Sequence, residues 1–431
     1  MSAADRRLAV VRTFGSGIVA QALLSATNLV VGLILLRRTN DEQYGYYVLV
    51  LNAVLLLTSL QTAFVQPHLV IRLARAPPAE RANLTGGLFR EQRGLLWPLF
   101  AGLAVAAATT AWLGSTLVPA MAAWVAAAAS LAAGAALFRE YLRVVLFAYR
   151  RSASVLRADL AYAGCLILSA ALATLTPAPA AYATLGMGVA AVVGGVACSR
   201  ALWRFEPWNL AGAPGILRAI AHLGTVTAGS AAVHWLFSQG YNFLVVAVLD
   251  VRAVAAIAAT RMLIMPINLL STGIGTIMLP TITGWMQQHA ACFVLRRLLA
   301  ISAGLTLVAL GYFGIVWLVR DWVFAQVMHK QISQRDPLLL LWFAVGILML
   351  FRDQLLGLLL ARERFHVLAM LTLASAVVAL VISLWGMRAI GVTGALLGVL
   401  CGEVVNVSGL LTLAIMEAAR HSRPLAAAQE P

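Results

Sequence analysis

The chain has 431 residues, of which 62% are hydrophobic and only 11% charged, and a formal net charge of +15. A soluble globular domain is nearer half apolar and about one quarter charged, so this composition excludes an ordinary water-soluble enzyme and implies an integral membrane protein. The basic excess does not imply a nucleic-acid partner, because the arginines sit in short stretches beside long apolar runs, where membrane topology and anionic lipid account for them.

Twelve apolar segments are predicted in chain order, at 14–36, 45–66, 94–113, 117–138, 158–176, 180–199, 225–249, 253–280, 298–319, 337–360, 367–387 and 394–415. Most reach the roughly 20 residues that an α-helix needs to cross the apolar core of a bilayer. No segment alternates with period two, which disfavours a β-barrel. The expected fold is an all-α integral membrane protein of about twelve transmembrane helices, in two six-helix lobes at 1–210 and 211–431. The first segment is too long for a signal-peptide core and ends in Arg37-Arg38, so it is read as a retained helix.

Connections alternate in length and charge. Gly114-Ser115-Thr116, Pro177-Ala178-Pro179 and Asp250-Val251-Arg252 each join two spans directly on one side, leaving no room for an external domain. The loops at 67–93, 139–157 and 200–224 on the other side are longer, hold too few apolar residues for a core, and read as interfacial amphipathic pieces rich in arginine. Of the 31 basic residues, 22 fall on that longer-loop side, from Arg6, Arg7 and Arg12 through Arg139, Arg143 and Arg157 to Arg423, against seven on the other. The positive-inside rule therefore places both termini in the cytoplasm. Trp112, Trp317, Trp322 and Trp385 near one set of span ends, and Trp97, Trp203, Trp208 and Trp285 near the other, form the aromatic belts that support these boundaries.

Chemistry-bearing motifs are sparse. Cys165, Cys198, Cys292 and Cys401 are scattered without metal-ligand spacing, and no cofactor is implied. Paired carboxylates, a His beside a nucleophile and Asp-rich metal motifs are all missing. A membrane glycosyltransferase or polymerase acting on lipid-linked sugars would need such a loop or an acidic motif, which lowers that alternative without removing it.

Polarity inside the spans is uneven. Eight of the ten Asn and Gln residues within apolar segments lie in the first, second, seventh and eighth. Gln21, Ser25 and Asn28 share one helical face, as do Asn52, Ser59 and Gln66. On the seventh segment His234, Ser238 and Asn242 form a stripe with Gln239 beside it, and on the eighth Arg261 and Asn268 are seven apart. Interhelical stitching explains any one of these amides, but their concentration points to a polar space shared by four helices. Asn28-Leu29-Val30-Val31 and Asn242-Phe243-Leu244-Val245, offset by 214 residues, add a weak internal repeat.

Intramembrane charges stand out because an arginine near mid-bilayer costs on the order of 2.5–3.5 kcal/mol or more. Arg261 lies roughly 13 Å into its segment at about 1.5 Å per residue, and Pro266 loosens the helix beside it. It is read as facing substrate, with Arg72 at the cytoplasmic mouth of the second helix as an entrance cation. On the tenth and twelfth segments Arg352, Asp353, Gln354, Glu403 and Asn406 form a second polar set. Neighbours on a helix point apart, so Arg352 and Asp353 are expected to take different partners, with Arg352 reaching Glu403. Asp353 and Glu403 are the candidates for ion coupling.

Three motifs carry a family resemblance across nearly the whole chain: Asp41-Glu42-Gln43-Tyr44-Gly45-Tyr46-Tyr47 after the first helix, Ala361-Arg362-Glu363-Arg364 after the tenth, and Gly391-Val392-Thr393-Gly394-Ala395-Leu396-Leu397-Gly398 entering the twelfth. In these the chain resembles the bacterial polysaccharide or O-antigen (Wzx-type) flippases of the multidrug/oligosaccharidyl-lipid/polysaccharide exporter superfamily. The first motif matches that family's acidic-aromatic-Gly turn. The resemblance implies a MATE-like exporter fold in a bacterial inner membrane. It implies an undecaprenyl-diphosphate-linked oligosaccharide moved from the cytoplasmic to the periplasmic leaflet by alternating access, for exopolysaccharide or O-antigen synthesis. Bilayer lipids and polysaccharide polymerase or export machinery are the implied partners. Arg261 and Arg72 would meet the diphosphate, and Gln21, Asn28, Asn52, Gln239, Asn242 and Asn268 would meet the sugars. The chain departs from the pattern in its first helix, where related flippases often carry an ionisable residue and this one offers Gln21 and Asn28. A cation-coupled drug exporter of the same fold would call for acidic residues in the first or seventh helix, and there are none.

Overall fold

Inside a bilayer no water is available to backbone N–H and C=O groups, so an apolar segment that is not a closed barrel satisfies them only as a helix. A computed structural model describes residues 3–114, 119–205, 208–210, 212, 214–362 and 364–420. Ser115, Thr116, Glu363 and Arg423 of the motifs and basic sets above lie outside the described residues. Thirteen α-helices follow one another without a described strand: α1 Ala3–Arg38, α2 Asp41–Arg75, α3 Pro78–Leu113, α4 Ala120–Ala148, α5 Ser152–Ala173, α6 Pro179–Phe205, α7 Ile216–Val248, α8 Val251–Met262, α9 Met265–Gln288, α10 Ala291–Trp322, α11 Arg335–Ala361, α12 Phe365–Ile390 and α13 Val392–Arg420. Eleven are long and apolar enough to span a membrane alone, and the pair α8–α9, bent by 57°, raises the number to twelve when taken as one broken span.

The break falls immediately before Pro266, which has no N–H to continue the ladder. Ile267 N bonds the Ile264 carbonyl instead of that of Leu263, and the Tyr312 hydroxyl donates to the freed Leu263 carbonyl at 2.7 Å. A bent span thus survives at this level because a neighbouring helix supplies the missing donor.

Two compact units divide at Ala232 and Val233, inside α7. In the first, the longer, arginine-rich connections expected to be amphipathic surface pieces are instead extensions of the spanning helices, and they enclose a core. Leu69, Leu73, Leu88, Leu142, Leu146, Val155, Leu202 and Ile220 are all buried in one cluster, with Phe89 ringed by Phe138, Tyr141 and Trp208 at centroid distances of 5.7, 5.7 and 5.5 Å. Six helix ends pooling a few apolar residues each achieve what no single loop could. The Asp41–Tyr47 motif also proves helical rather than a turn. Asn40 caps α2 by accepting from Gln43 N at 2.8 Å, the Gln43 side chain accepts from Ala180 N at the start of α6, and Tyr44 and Tyr47 are buried.

The start of α7 is pinned to α3. The Glu91 carboxylate accepts from the N–H groups of Gly215, Ile216 and Leu217 at 2.5, 3.2 and 2.7 Å, meeting unsatisfied donors at the positive end of the helix dipole. Arg90 holds the preceding carbonyls of Leu210 and Gly212, and Gly86 and Gly212 allow direct backbone approach to Asn209 and Asn83.

In the second unit Ile282, Met286, Leu298, Leu355, Leu358 and Leu410 form the corresponding buried cluster. The Gly391–Gly398 motif is explained by packing. Gly394 and Gly398 let α13 lie against Gly386 and Ser383 of α12 so closely that a Cβ would strike backbone.

Glu91→Ala removes three hydrogen bonds to one helix terminus and is expected to cost about 1–2 kcal/mol. The thermal midpoint of the detergent-solubilised protein should fall by about 2–4 °C, and an unchanged midpoint would show that the cap contributes nothing.

Candidate functional site

Asp250 caps α8 by accepting from Ala253 N at 2.7 Å, turning the chain straight back along α7. Arg261 falls in the last turn of α8, where the negative end of the helix dipole favours a cation. From there its Nη1 donates to Gln239 Oε1 at 2.5 Å and lies 3.4 Å from the Tyr241 hydroxyl. Its guanidinium stands 5.5 Å from the centroid of Trp342 on α11, within cation–π range. Gln239 Oε1 also accepts from Asn242 Nδ2 at 3.2 Å. Three residues singled out in the sequence therefore meet as one constellation, and Asn268 follows on α9 beyond the break.

Every contact named for Arg261 is with a neutral group, and among the described residues no carboxylate pairs with it. Its positive charge is solvated by an amide, a hydroxyl and a π face but is not cancelled. Such a site is prepared for an anion, since a buried anion is tolerated only where charge-assisted hydrogen bonds replace water.

The second polar set behaves differently. Arg352 pairs with Glu403 of α13 at 2.5 Å, as expected, and also with its own neighbour Asp353 at 3.1 Å, which was not. The flexible arginine stem folds back along the helix, so the argument that adjacent residues point apart fails for so long a side chain. Asp353 Oδ2 accepts from Ser271 on α9 at 2.6 Å, and Asn406 donates to Ser375 at 3.2 Å. Here two carboxylates offset one arginine, and α9, α11 and α13 are tied through them. Glu403 Oε2 is buried without a partner.

The remaining candidates lie in the first unit: Gln21 is exposed and Asn28 half-buried on α1, Asn52 is buried on α2, and Arg72 is exposed near the end of α2. Among the described residues Gln21, Asn28 and Asn52 make no hydrogen bond to one another. Sequence reasoning missed a further cluster. Arg139 and Arg143, read as topology determinants, are buried and converge on Asp159, which is fully buried, at 2.5 and 3.2 Å; Arg143 also holds Glu140, and the Tyr162 ring covers Arg139 at 3.7 Å. The available signal was the spacing of Arg139, Glu140 and Arg143 on one face, with Asp159 the first acid of the following helix.

No protein-family model and no curated protein matches the chain. Solved structures do. A multidrug resistance MATE family transporter of the MOP superfamily in an inward-facing conformation superposes with a TM-score of 0.73 at 14% identity, over 91% of this chain and 94% of that one. The lipid II flippase MurJ in an inward closed conformation gives 0.73 at 12% identity, over 94% and 89%. A MOP superfamily transporter from Pyrococcus furiosus, described as having a binding pocket of reversed polarity, gives 0.61 at 13%, over 95% of each chain. At these identities the likeness establishes the fold: an all-helical, multi-span membrane protein built like the MATE transporters and MurJ.

Removing Arg352 would strand the buried Glu403 carboxylate. Arg352→Ala should destabilise the protein by about 3–5 kcal/mol, and adding Glu403→Gln should restore part of that loss. A double mutant no more stable than Arg352→Ala alone, in thermal unfolding in detergent, would show that the pair is not coupled.

Proposed function

We propose that this protein is a flippase that carries an undecaprenyl-diphosphate-linked oligosaccharide from the cytoplasmic to the periplasmic leaflet of a bacterial inner membrane by alternating access, supplying exopolysaccharide or O-antigen synthesis. The observation that carries the proposal is the uncancelled charge of Arg261 among Gln239, Tyr241 and Asn242. A diphosphate cannot enter a low-dielectric space without fixed positive charge, while amides and hydroxyls suit the sugars that follow it. The fold shared with MurJ, whose name gives lipid II as its cargo, supports the same class of substrate. In this reading Arg72 receives the head group at the cytoplasmic entrance, with both termini on that side. Gln21, Asn28 and Asn52 in the first unit and Asn268 in the second are further groups for the sugars, and the protein makes and breaks no covalent bond. Asp353 and Glu403, held around Arg352, are the groups through which an ion gradient would act.

The fold shared with multidrug MATE transporters supports a second reading as a drug exporter. A cationic drug would be repelled by Arg261, which favours the anionic cargo.

Reconstituted into vesicles with a fluorescent undecaprenyl-diphosphate trisaccharide, the native protein should speed its leaflet exchange. Arg261→Ala should reduce the rate at least tenfold, on the order of 1.4 kcal/mol or more, while the exposed Arg157→Ala leaves it intact. Full exchange by Arg261→Ala would remove the diphosphate role, and transfer of the sugar to a new acceptor would reveal an enzyme.

A further inference from the structure

The connection between α10 and α11 has more structure than a loop of its length requires. The chain leaves α10 through a π-helical stretch, Val323–Met328, and ends it at His329 with φ of 53°. π-Helical segments are rare and concentrate at functional sites, and a non-glycine residue in the left-handed region is held there only by its surroundings. Together they open a bowl of about 1030 Å³ lined by Asp321, Phe324, Gln331, Ser333, Arg335 and Asp336, among others. Its wall is set by ion pairs: Arg335 with Asp321 at 2.6 Å, Arg335 with Asp336 at 2.8 Å, and Arg320 with Asp336 at 3.4 Å. With Arg320, whose pair with Asp336 forms part of the wall, the cations Arg320, Lys330 and Arg335 outnumber Asp321 and Asp336 by one formal charge, and His329 lies beside them. The bowl also offers hydrogen-bond donors and acceptors, and the Asp321 side chain is 71% exposed. That inventory matches a hydroxyl-rich head group joined to a phosphate.

The bowl does not end at the polar rim. Pro337 also lines a second depression of about 590 Å³, walled by Leu340, Leu341, Ile390 and Leu397 on α11, α12 and α13. Gln334 lines it as well, and its buried Oε1 has no partner. Leu340 lies four residues beyond Asp336, about 6 Å along the helix at 1.5 Å per residue. A polar bowl at the helix ends thus continues, within about one turn, into an apolar groove on the faces of spanning helices. A molecule that fills both has a sugar head and a long hydrocarbon tail.

We infer that this composite depression, at the end of the second unit's helices opposite Arg420, is a second binding site for the lipid-linked oligosaccharide. The sugars rest in the bowl and the prenyl chain lies along α11, so the site holds the glycolipid on the leaflet it enters. The assignment of cargo rests on the flippase reading, but the site itself is separate from Arg261 and is tested separately. The probe is a fluorescent undecaprenyl-diphosphate trisaccharide, titrated into the full-length protein in nanodiscs, with benzophenone introduced at Leu397 to capture a bound tail. Undecaprenyl phosphate without sugar and a glucosyl-diacylglycerol serve as comparators.

Saturable labelling by the trisaccharide lipid alone is expected. Asp321→Asn with Gln331→Ala should weaken it roughly tenfold through the lost hydrogen bonds. Equal labelling by either comparator, or unchanged affinity in that double variant, overturns the proposal. Labelling should persist in Arg261→Ala. If the native protein moves no glycolipid between leaflets yet is labelled as described, the flippase reading fails and this site stands. If it moves glycolipid but is not labelled, the reverse holds.

Discussion

The absence of water from the bilayer core is the constraint on which everything else in this protein depends. It forces each apolar run into a helix, and it also decides how polar groups within the helices are arranged, because each must find its partner inside the protein. The break before Pro266 shows the rule at backbone level, where Tyr312 donates to the Leu263 carbonyl that the changed helical register leaves free. Arg139, Arg143 and Arg352 show it at the level of charge, each held against carboxylates.

Arg261 satisfies the rule differently. Its hydrogen bonds are made, so the side chain is ordered, but its partners are neutral and the charge persists. Keeping an uncancelled cation within a span has a free-energy cost that a purely structural residue would have no reason to impose. Its position at the C-terminal end of α8, where carbonyl dipoles converge, lowers that cost without neutralising the charge. The paired arginines have their charge offset within their units, whereas among the described residues the charge of Arg261 is met only by neutral groups.

The helix breaks and connections place these groups. Two residues join α7 to α8 and bring Gln239 and Arg261 face to face, while Glu91 pins the start of α7 to α3. In the second unit the close glycine contacts of α12 with α13 set the position of Glu403 opposite Arg352, so motifs first noticed as family marks turn out to be packing devices that hold a polar network in register.

The twelve spans were legible in the sequence because a run of about 20 apolar residues has one stable solution in a membrane. That Arg261, Gln239 and Asn242 stand out was legible for a related reason, since polar groups are conspicuous against so apolar a background; that they meet is seen only in the structure. What the sequence could not disclose depended on which faces meet. Tyr241 and Trp342, which complete the Arg261 site, look like any aromatic residue of a spanning helix. Arg139 and Arg143 look like topology determinants until α4 and α5 bring Asp159 between them. The arginine-rich helix ends of the first unit appear too polar for a core until six of them pool their apolar residues, and Arg352 and Asp353 appear divergent until the arginine folds back. Hydrophobicity is local and additive along the chain, so it reads directly from sequence. Pairing between helices is a property of their relative placement, and only the tertiary structure decides it.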